Sequence, residues 1–327
     1  MKAVFLDRAT LLADNARSVP EEIDFSGLTA VVPEWDWYDR TSAAETCARI
    51  GDAAIVITNK VVLDRESLLK VARRGALRLI CVAATGTNNV DIATATELGI
   101  AVCNVRAYAT RSVTEHVFAM MLALIRHLPE YHQAVVAGRW QRSRDFCLLA
   151  YPVGELSGRK LGIVGYGELG QSVARVAQAF GMQVVVAERP GISEPCTQIP
   201  LSRLVNEADI ITLHCPLSPA TKNLIGAEQL AAMQPHSLLI NTARGGIVDE
   251  HALAAALRAG RIGGAAVDVL SSEPPPVDHP LLQADIPNLI ITPHIAWAST
   301  AARQCLIDEM VENIRAWLVG QTRNRIC

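Results

Sequence analysis

The chain has 327 residues, half of them hydrophobic and 19% charged, with a formal net charge of -3. That is material for roughly two domains of about 150 residues each, and with neither a basic balance nor a Lys/Arg stripe it carries no footprint for nucleic acid. The longest apolar run, residues 117–125, is far shorter than the roughly 20 residues a bilayer span needs, and MKAVFLDRAT has too short an apolar stretch for a secretory signal.

In chain order, KAVFL near residue 2, AAIVIT near 53, LRLICVA near 77 and IAVCNV near 100 are strand candidates at roughly regular spacing. They predict a small flavodoxin-like α/β domain over 1–103, rejoined at the end of the chain by a helix over 301–318, so that 300–327 belong to it. A long helical pattern over 112–137 follows, with Ser112 and Glu115 spaced as a capping box. It bridges to a second domain over 104–299. There, apolar runs begin near Lys160 (KLGIVG), Gln183 (QVVVAE), Asp209 (DIITLHC), Ser237 (SLLINTA), Ala265 (AAVDVL) and Asn288 (NLIITPH), 23 to 28 residues apart. Continuous strand runs separated by helix patterns such as QSVARVAQAF and EHALAAALRAG predict a parallel sheet covered on both faces, a doubly wound Rossmann-type α/β domain. Eight cysteines are scattered without a CxxC pair, which predicts reduced, mostly buried thiols in a cytoplasmic protein and neither a disulfide framework nor a metal site.

GYGELG, residues 165–170, matches GxGxxG, follows the strand LGIV and opens the helix QSVARVAQAF. That context makes the pattern a dinucleotide fingerprint. Gly165 permits the tight turn, Gly167 lets the backbone approach a pyrophosphate, and Gly170 allows close helix–strand packing. Tyr166, Glu168 and Leu169 complete a loop at a helix N-terminus whose free N–H groups suit phosphates. Glu188, 18 residues beyond Gly170, ends the next strand. A carboxylate there accepts from ribose hydroxyls and repels a 2′-phosphate, which favours NAD. Arg189 follows at once and can pair with a 2′-phosphate, so NADP stays possible.

Ligands of open α/β sheets bind beyond the carboxyl ends of strands. Arg244 follows SLLINTA, Asp268 ends AAVDV with Glu273 five residues on, and His294 follows NLIITP. A lone strand-end histidine is more often structural than catalytic. An arginine and a carboxylate arriving at the same sheet edge, beyond a nucleotide loop, turn that balance toward catalysis by Arg244, Glu273 and His294.

Together GYGELG, HCPLSPATKNLIG, INTARGGIVDEHAL, GGAAVDVLSSEPP and TPHIAW, in that order, resemble the D-isomer-specific 2-hydroxyacid dehydrogenase family over nearly the whole chain. TPHIAWAS and DFCLLAYPVGELSGRKLGIVGYG resemble its glycerate dehydrogenase, or hydroxypyruvate (glyoxylate) reductase, branch. The resemblance implies an active site in the interdomain cleft, where Arg244 binds carboxylate and keto oxygen through its planar fork. His294 is the general acid, and Glu273 holds its ring and favours the charged imidazole. Asp268 lies by the nicotinamide carboxamide. Thr110, His214, Cys215, Pro216, Thr221, Thr242, Ala243 and Ala296 fall where the family lines its cofactor cleft. In the smaller domain the loop Ala84, Thr85, Gly86 matches the family's carboxylate cradle. Lys60 either flanks it or is a solvated surface lysine. Trp297 is a pocket wall or core, and Trp140 is core or lies near a neighbouring subunit's cleft. His116, His127, His132, His236, His251 and His279 are read as non-catalytic.

The substrate implied is a small 2-keto/2-hydroxy acid, hydroxypyruvate or glyoxylate. The alternatives are a D-lactate-type, phosphoglycerate or phosphite enzyme, and a nucleotide-sensing scaffold of corepressor type. Glu273 argues against a formate enzyme, which resembles a glutamine there. The family also implies a homodimer, for which the apolar run over 117–125 offers a surface.

Overall fold

Runs of four or five apolar residues can be buried on both faces only inside a parallel sheet flanked by helices, and the chain builds two such sheets. The structure is a computed structural model that describes residues 1–12, 23–189 and 196–327. By its contacts the chain divides into two compact units, Met1–Ala109 with Ala298–Cys327, and Thr110–Trp297.

The first unit runs β1 (Lys2–Phe5), α1 (Ser26–Val31), β2 (Glu34–Trp37), α2 (Ala43–Ile50), β3 (Ile55–Thr58), α3 (Arg65–Ala72), β4 (Leu79–Val82), α4 (Ile92–Glu97) and β5 (Ala101–Cys103), and regains the chain's last helix, α11 (Thr300–Leu318). Its strands are all parallel in the order β2-β1-β3-β4-β5, the flavodoxin-like order. Strands β3 and β4 are wholly buried. Strand β2 is absent from the sequence expectation because EWDW has no apolar run; it lies at the sheet edge, partly exposed, with Trp35 stacked on Trp37 at 4.9 Å.

The second unit runs α5 (Thr110–Ile125), α6 (Leu128–Val136), β6 (Lys160–Val164), α7 (Glu168–Ala179), β7 (Gln183–Ala187), β8 (Gln198–Ile199), α8 (Leu201–Glu207), β9 (Ile210–Leu213), α9 (Ala227–Ala232), β10 (Leu238–Asn241), α10 (Glu250–Arg258), β11 (Gly264–Val267) and β12 (Leu289–Ile291). The order β12-β11-β10-β9-β6-β7-β8 is the Rossmann order with a seventh strand at one edge. All six expected strands form, and the two-residue β8 is additional. The order reverses between β6 and β9, the switch point where such sheets take their ligand. Strand β12 is an edge strand of half-buried residues, not an interior one.

The helix expected over 112–137 is two helices. Pro129 has no N–H, and its ring collides with the carbonyl four residues back, so α5 stops at Ile125 and His127 turns the chain with φ of 50° before α6. Helix α5 begins at Thr110, so Ser112 lies inside it. Its hydroxyl donates to the Ala296 carbonyl at 2.7 Å rather than forming a capping box. The run over 117–125 also differs from expectation. Val117, Phe118, Met120, Met121, Leu124 and Ile125 are buried within their own unit and offer no free surface. Of the eight cysteines, all free, only Cys81 and Cys103 are buried; the other six are half-buried because they lie on helix faces and loops rather than interior strands. Among the described residues no helix is long and apolar enough to cross a membrane.

Candidate active site

The glycine loop sits at the switch point, after β6. Gly165 has φ of 98°, and a Cβ there would lie 2.6 Å from the backbone N of Cys215 and from the carbonyl carbon of His214. At Gly170 it would lie 2.2 Å from the Gly165 carbonyl oxygen. Both positions therefore require glycine for packing. A Cβ on Gly167 meets nothing within 4 Å, so that side of the loop is open to a ligand. Helix α7 starts here with Gly167 as its N-cap. Glu168 is its first residue and accepts from the Thr110 hydroxyl. Tyr166 gives its carbonyl to Gln171 Nε2, and Leu169 is half-buried.

The neighbouring strand ends carry two orphaned polar atoms. Thr242 Oγ1, after β10, and His214 Nδ1, after β9, are buried without a hydrogen-bond partner. The other ring nitrogen of His214 lies 2.9 Å from Thr212 Oγ1, and burial of the ring lowers its pKa to about 4. Burial also raises the Cys215 thiol above the usual thiol range. Thr221 closes the loop that follows: its hydroxyl donates to the Pro216 carbonyl at 2.6 Å and accepts from Ser218 N at 2.8 Å. Glu188 and Arg189 are both exposed at the end of β7. An open glycine, a free helix N-terminus, two unpartnered polar atoms and a strand-end carboxylate fit an NAD molecule.

His294 and Glu273 meet. His294 Nδ1 lies 2.7 Å from Glu273 Oε2, while Glu273 Oε1 accepts from Leu270 N at 2.9 Å. This leaves Nε2 as the ring nitrogen that can face a reactant. Arg244 is exposed on a turn fixed by Asn241, whose side chain accepts from Ala243 N and donates to the Arg244 carbonyl. Its guanidinium reaches back to the Ala243 carbonyl at 2.7 Å. Gly245 presses that turn against the strand end leading to Glu273: a Cβ there would lie 1.9 Å from the Leu270 carbonyl oxygen.

Asp268 is buried and holds the histidine loop. Its carboxylate accepts from Thr292 Oγ1 at 2.5 Å, Ile295 N at 2.9 Å and Ala296 N at 2.9 Å, and its carbonyl accepts from His294 N at 2.8 Å. These bonds offset a strained backbone, since His294 has φ of 56°, a left-handed conformation that costs a non-glycine residue on the order of 1 kcal/mol. His116, on α5, joins this network. Its Nε2 lies 3.0 Å from Thr292 Oγ1 and donates, because that hydroxyl gives its own proton to Asp268. Sequence reasoning missed His116, since its partners lie far along the chain. Trp297 spends its indole N–H on the His294 carbonyl at 3.0 Å. Trp140 bonds the Phe146 carbonyl at 3.0 Å and is half exposed.

In the first unit, Lys60 has an exposed side chain and its backbone N–H donates to buried Asp7 at 2.6 Å. The Asp7 carboxylate also takes Asn59 N and Val61 N, which pins this turn. The loop through Ala84, Thr85 and Gly86 is tied to the end of β5. Val105 N donates to the Ala84 carbonyl at 3.0 Å, Thr85 Oγ1 donates to the Val105 carbonyl at 2.8 Å, and Asn104 Nδ2 donates to the Thr85 carbonyl at 2.7 Å.

Residues 118–296 match the family described as D-isomer specific 2-hydroxyacid dehydrogenase, NAD binding domain. The chain is 44% identical over 327 residues to the glycerate dehydrogenase of Methylorubrum extorquens, covering 99% of this chain and 98% of that one. It is 40% identical to the hydroxypyruvate reductase of Blautia hydrogenotrophica, over 93% and 95% of the two chains. Among solved structures, the D-lactate dehydrogenase of Aquifex aeolicus, complexed with NAD and lactic acid, aligns with a TM-score of 0.80 at 28% identity, over 97% and 96% of the chains.

Proposed function

As a member of the D-isomer-specific 2-hydroxyacid dehydrogenase family, the chain is an NAD-dependent oxidoreductase, and we propose that it reduces hydroxypyruvate or glyoxylate to the corresponding 2-hydroxy acid. The observation that carries the catalytic part is the 2.7 Å contact of Glu273 with His294 Nδ1, beside the Arg244 turn. The names of two of the relatives at 40% identity or more, a glycerate dehydrogenase and a hydroxypyruvate reductase, support the substrate.

When bound, NADH supplies the hydride. His294 delivers a proton from Nε2 to the developing alkoxide, as general acid. Glu273 fixes the ring through Nδ1, so the proton leaves from one end only. Arg244 takes the substrate carboxylate in its fork. In the oxidative direction His294 is the base. On the family resemblance, the backbone N–H groups around Ala84, Thr85 and Gly86 and the Lys60 side chain are further candidate contacts for a substrate carboxylate. Glu188 sets a preference for NAD over NADP by bonding the ribose and repelling a 2′-phosphate. Trp297 shapes the pocket, and the working form is a homodimer.

Initial rates with NADH and NADPH over glyoxylate, hydroxypyruvate, pyruvate and phosphohydroxypyruvate, for wild type and His294→Ala, test this reading. Turnover of the first two with NADH is expected. His294→Ala should lose roughly 10²–10⁴ in kcat while still binding NADH. Turnover confined to pyruvate or phosphohydroxypyruvate would overturn the substrate, and near-normal kcat in the variant would overturn the role of His294.

A further inference from the structure

Glu250, the first residue of α10, has no part in the reaction just described, yet its carboxylate is among the most committed in the chain. Its side chain is 11% exposed, and the His279 ring that faces it is 4% exposed. Glu250 Oε1 accepts from Ser271 N at 2.6 Å, and Oε2 accepts from Ser271 Oγ at 2.6 Å. His279 Nε2 lies 3.0 Å from the same Oε2. The geometry fixes the tautomer. Leu281 N donates to His279 Nδ1 at 3.3 Å, so Nδ1 accepts, the proton sits on Nε2, and Nε2 donates to Glu250.

Ser271 and His279 are the two ends of one loop, SSEPPPVDH, and that loop carries Glu273. Residues 271–278 are all exposed. Pro274, Pro275 and Pro276 have no N–H to give, so the middle of the loop has little means of fastening itself to the sheet. One buried carboxylate thus clamps both ends of the segment that brings Glu273 to His294. Burying this carboxylate against a histidine carries a desolvation cost that an apolar pair would avoid. What it adds is three directed bonds, each on the loop.

We propose that Glu250 and His279 are positioning residues for the hydride-transfer reaction, acting through Glu273. They hold the loop so that Glu273 Oε2 stays within bonding distance of His294 Nδ1. The proposal rests on the roles given above to Glu273 and His294.

A double-mutant cycle on the full-length enzyme tests it, with kcat, keto-acid KM, NADH Kd and thermal midpoint measured for Glu250→Gln, Glu273→Gln and the pair. Glutamine at 250 sets an NH₂ donor against either the Ser271 N–H or the Nε2–H of His279, and both orientations loosen the clamp. Glu250→Gln should lower kcat by ~10-fold per NADH-binding site, as small misplacements of catalytic groups do, with KM and Kd held within about twofold. Because both changes act through one contact, the pair should be no slower than Glu273→Gln alone. Wild-type kcat in Glu250→Gln, or a pair slower than Glu273→Gln by the whole Glu250→Gln factor, would overturn the proposal. Wild-type kcat in Glu273→Gln would instead overturn the role of Glu273 itself, and the positioning role with it. Should Glu250→Gln not fold, Ser271→Ala removes one bond and leaves the buried pair intact. It should then show the same kcat-only loss at about threefold, and unchanged kcat there would count against the proposal.

Discussion

His214 shows what a single enclosed side chain does to this protein. One ring nitrogen faces Thr212, the other has no partner, and burial lowers the pKa from 6.5 to about 4. Water no longer stabilises the charged ring, so the folded chain keeps it neutral while the unfolded chain protonates it freely. The folded pKa lies below the unfolded one, so this contribution is whole above pH 6.5 and is lost as pH falls toward 4. The loss amounts to as much as about 3 kcal/mol. In His214→Gln the neutral amide does not titrate. Denaturant midpoints measured from pH 7.5 to 4.5 should therefore fall more steeply for wild type than for the variant. Parallel curves would show that His214 is not held neutral.

At the scale of elements, the site is made by turns pressed together, and two glycines separate packing from ligand binding. A Cβ on Gly245 would overlap the Leu270 carbonyl and come within 2.4 Å of Ser271 N, whereas a Cβ on Gly167 would meet nothing within 4 Å. Gly245→Ala should drive the Arg244 turn and the Glu273 loop apart, lowering both thermal midpoint and kcat, the latter by ~10²-fold. Gly167→Ala should leave the midpoint unchanged and weaken NADH binding by about tenfold, since the methyl occupies the space a pyrophosphate needs. Melting and NADH-titration curves on both variants check the contrast; equal behaviour would refute it. The interior strands were legible in the sequence because a strand covered on both faces must be apolar, as LGIV over 161–164 and GAAV over 264–267 are. Strand β2 was not, since an edge strand needs no such run, and the helix break at Pro129 was hidden by apolar residues continuing on both sides. The site divides in the same way. Arg244, Glu273 and His294 could be found because each follows a strand. His116 with Thr292, and Glu250 with His279, could not, because their meeting across 176 and 29 positions leaves no local pattern.

At the scale of the whole molecule, one stretch of uncovered apolar side chains among the described residues lies where the sequence did not place it. The run over 117–125 packs into its own unit, but residues 137–159, between α6 and β6, form neither helix nor strand. That stretch exposes Phe146 at 91% and Leu149 at 81%, with Val136, Trp140 and Val153 beside them in sequence and also open. Segments this long without regular structure are uncommon inside compact domains unless they serve a purpose, and a cluster of exposed large apolar side chains marks an interaction surface. A second copy of the chain is the occupant that the family resemblance implies. Covering one phenylalanine and one leucine contributes roughly 1.5–3 kcal/mol each. Both count twice in a two-fold dimer, because each partner presents the same patch. Light scattering should accordingly give twice the 35.2 kDa chain mass for wild type. Phe146→Ser with Leu149→Ser should shift the species toward the monomer while far-ultraviolet circular dichroism stays unchanged, since neither side chain supports its own unit's core. A wild-type monomer at micromolar concentration, or a double variant that dimerises as tightly as wild type, would remove this segment from the interface.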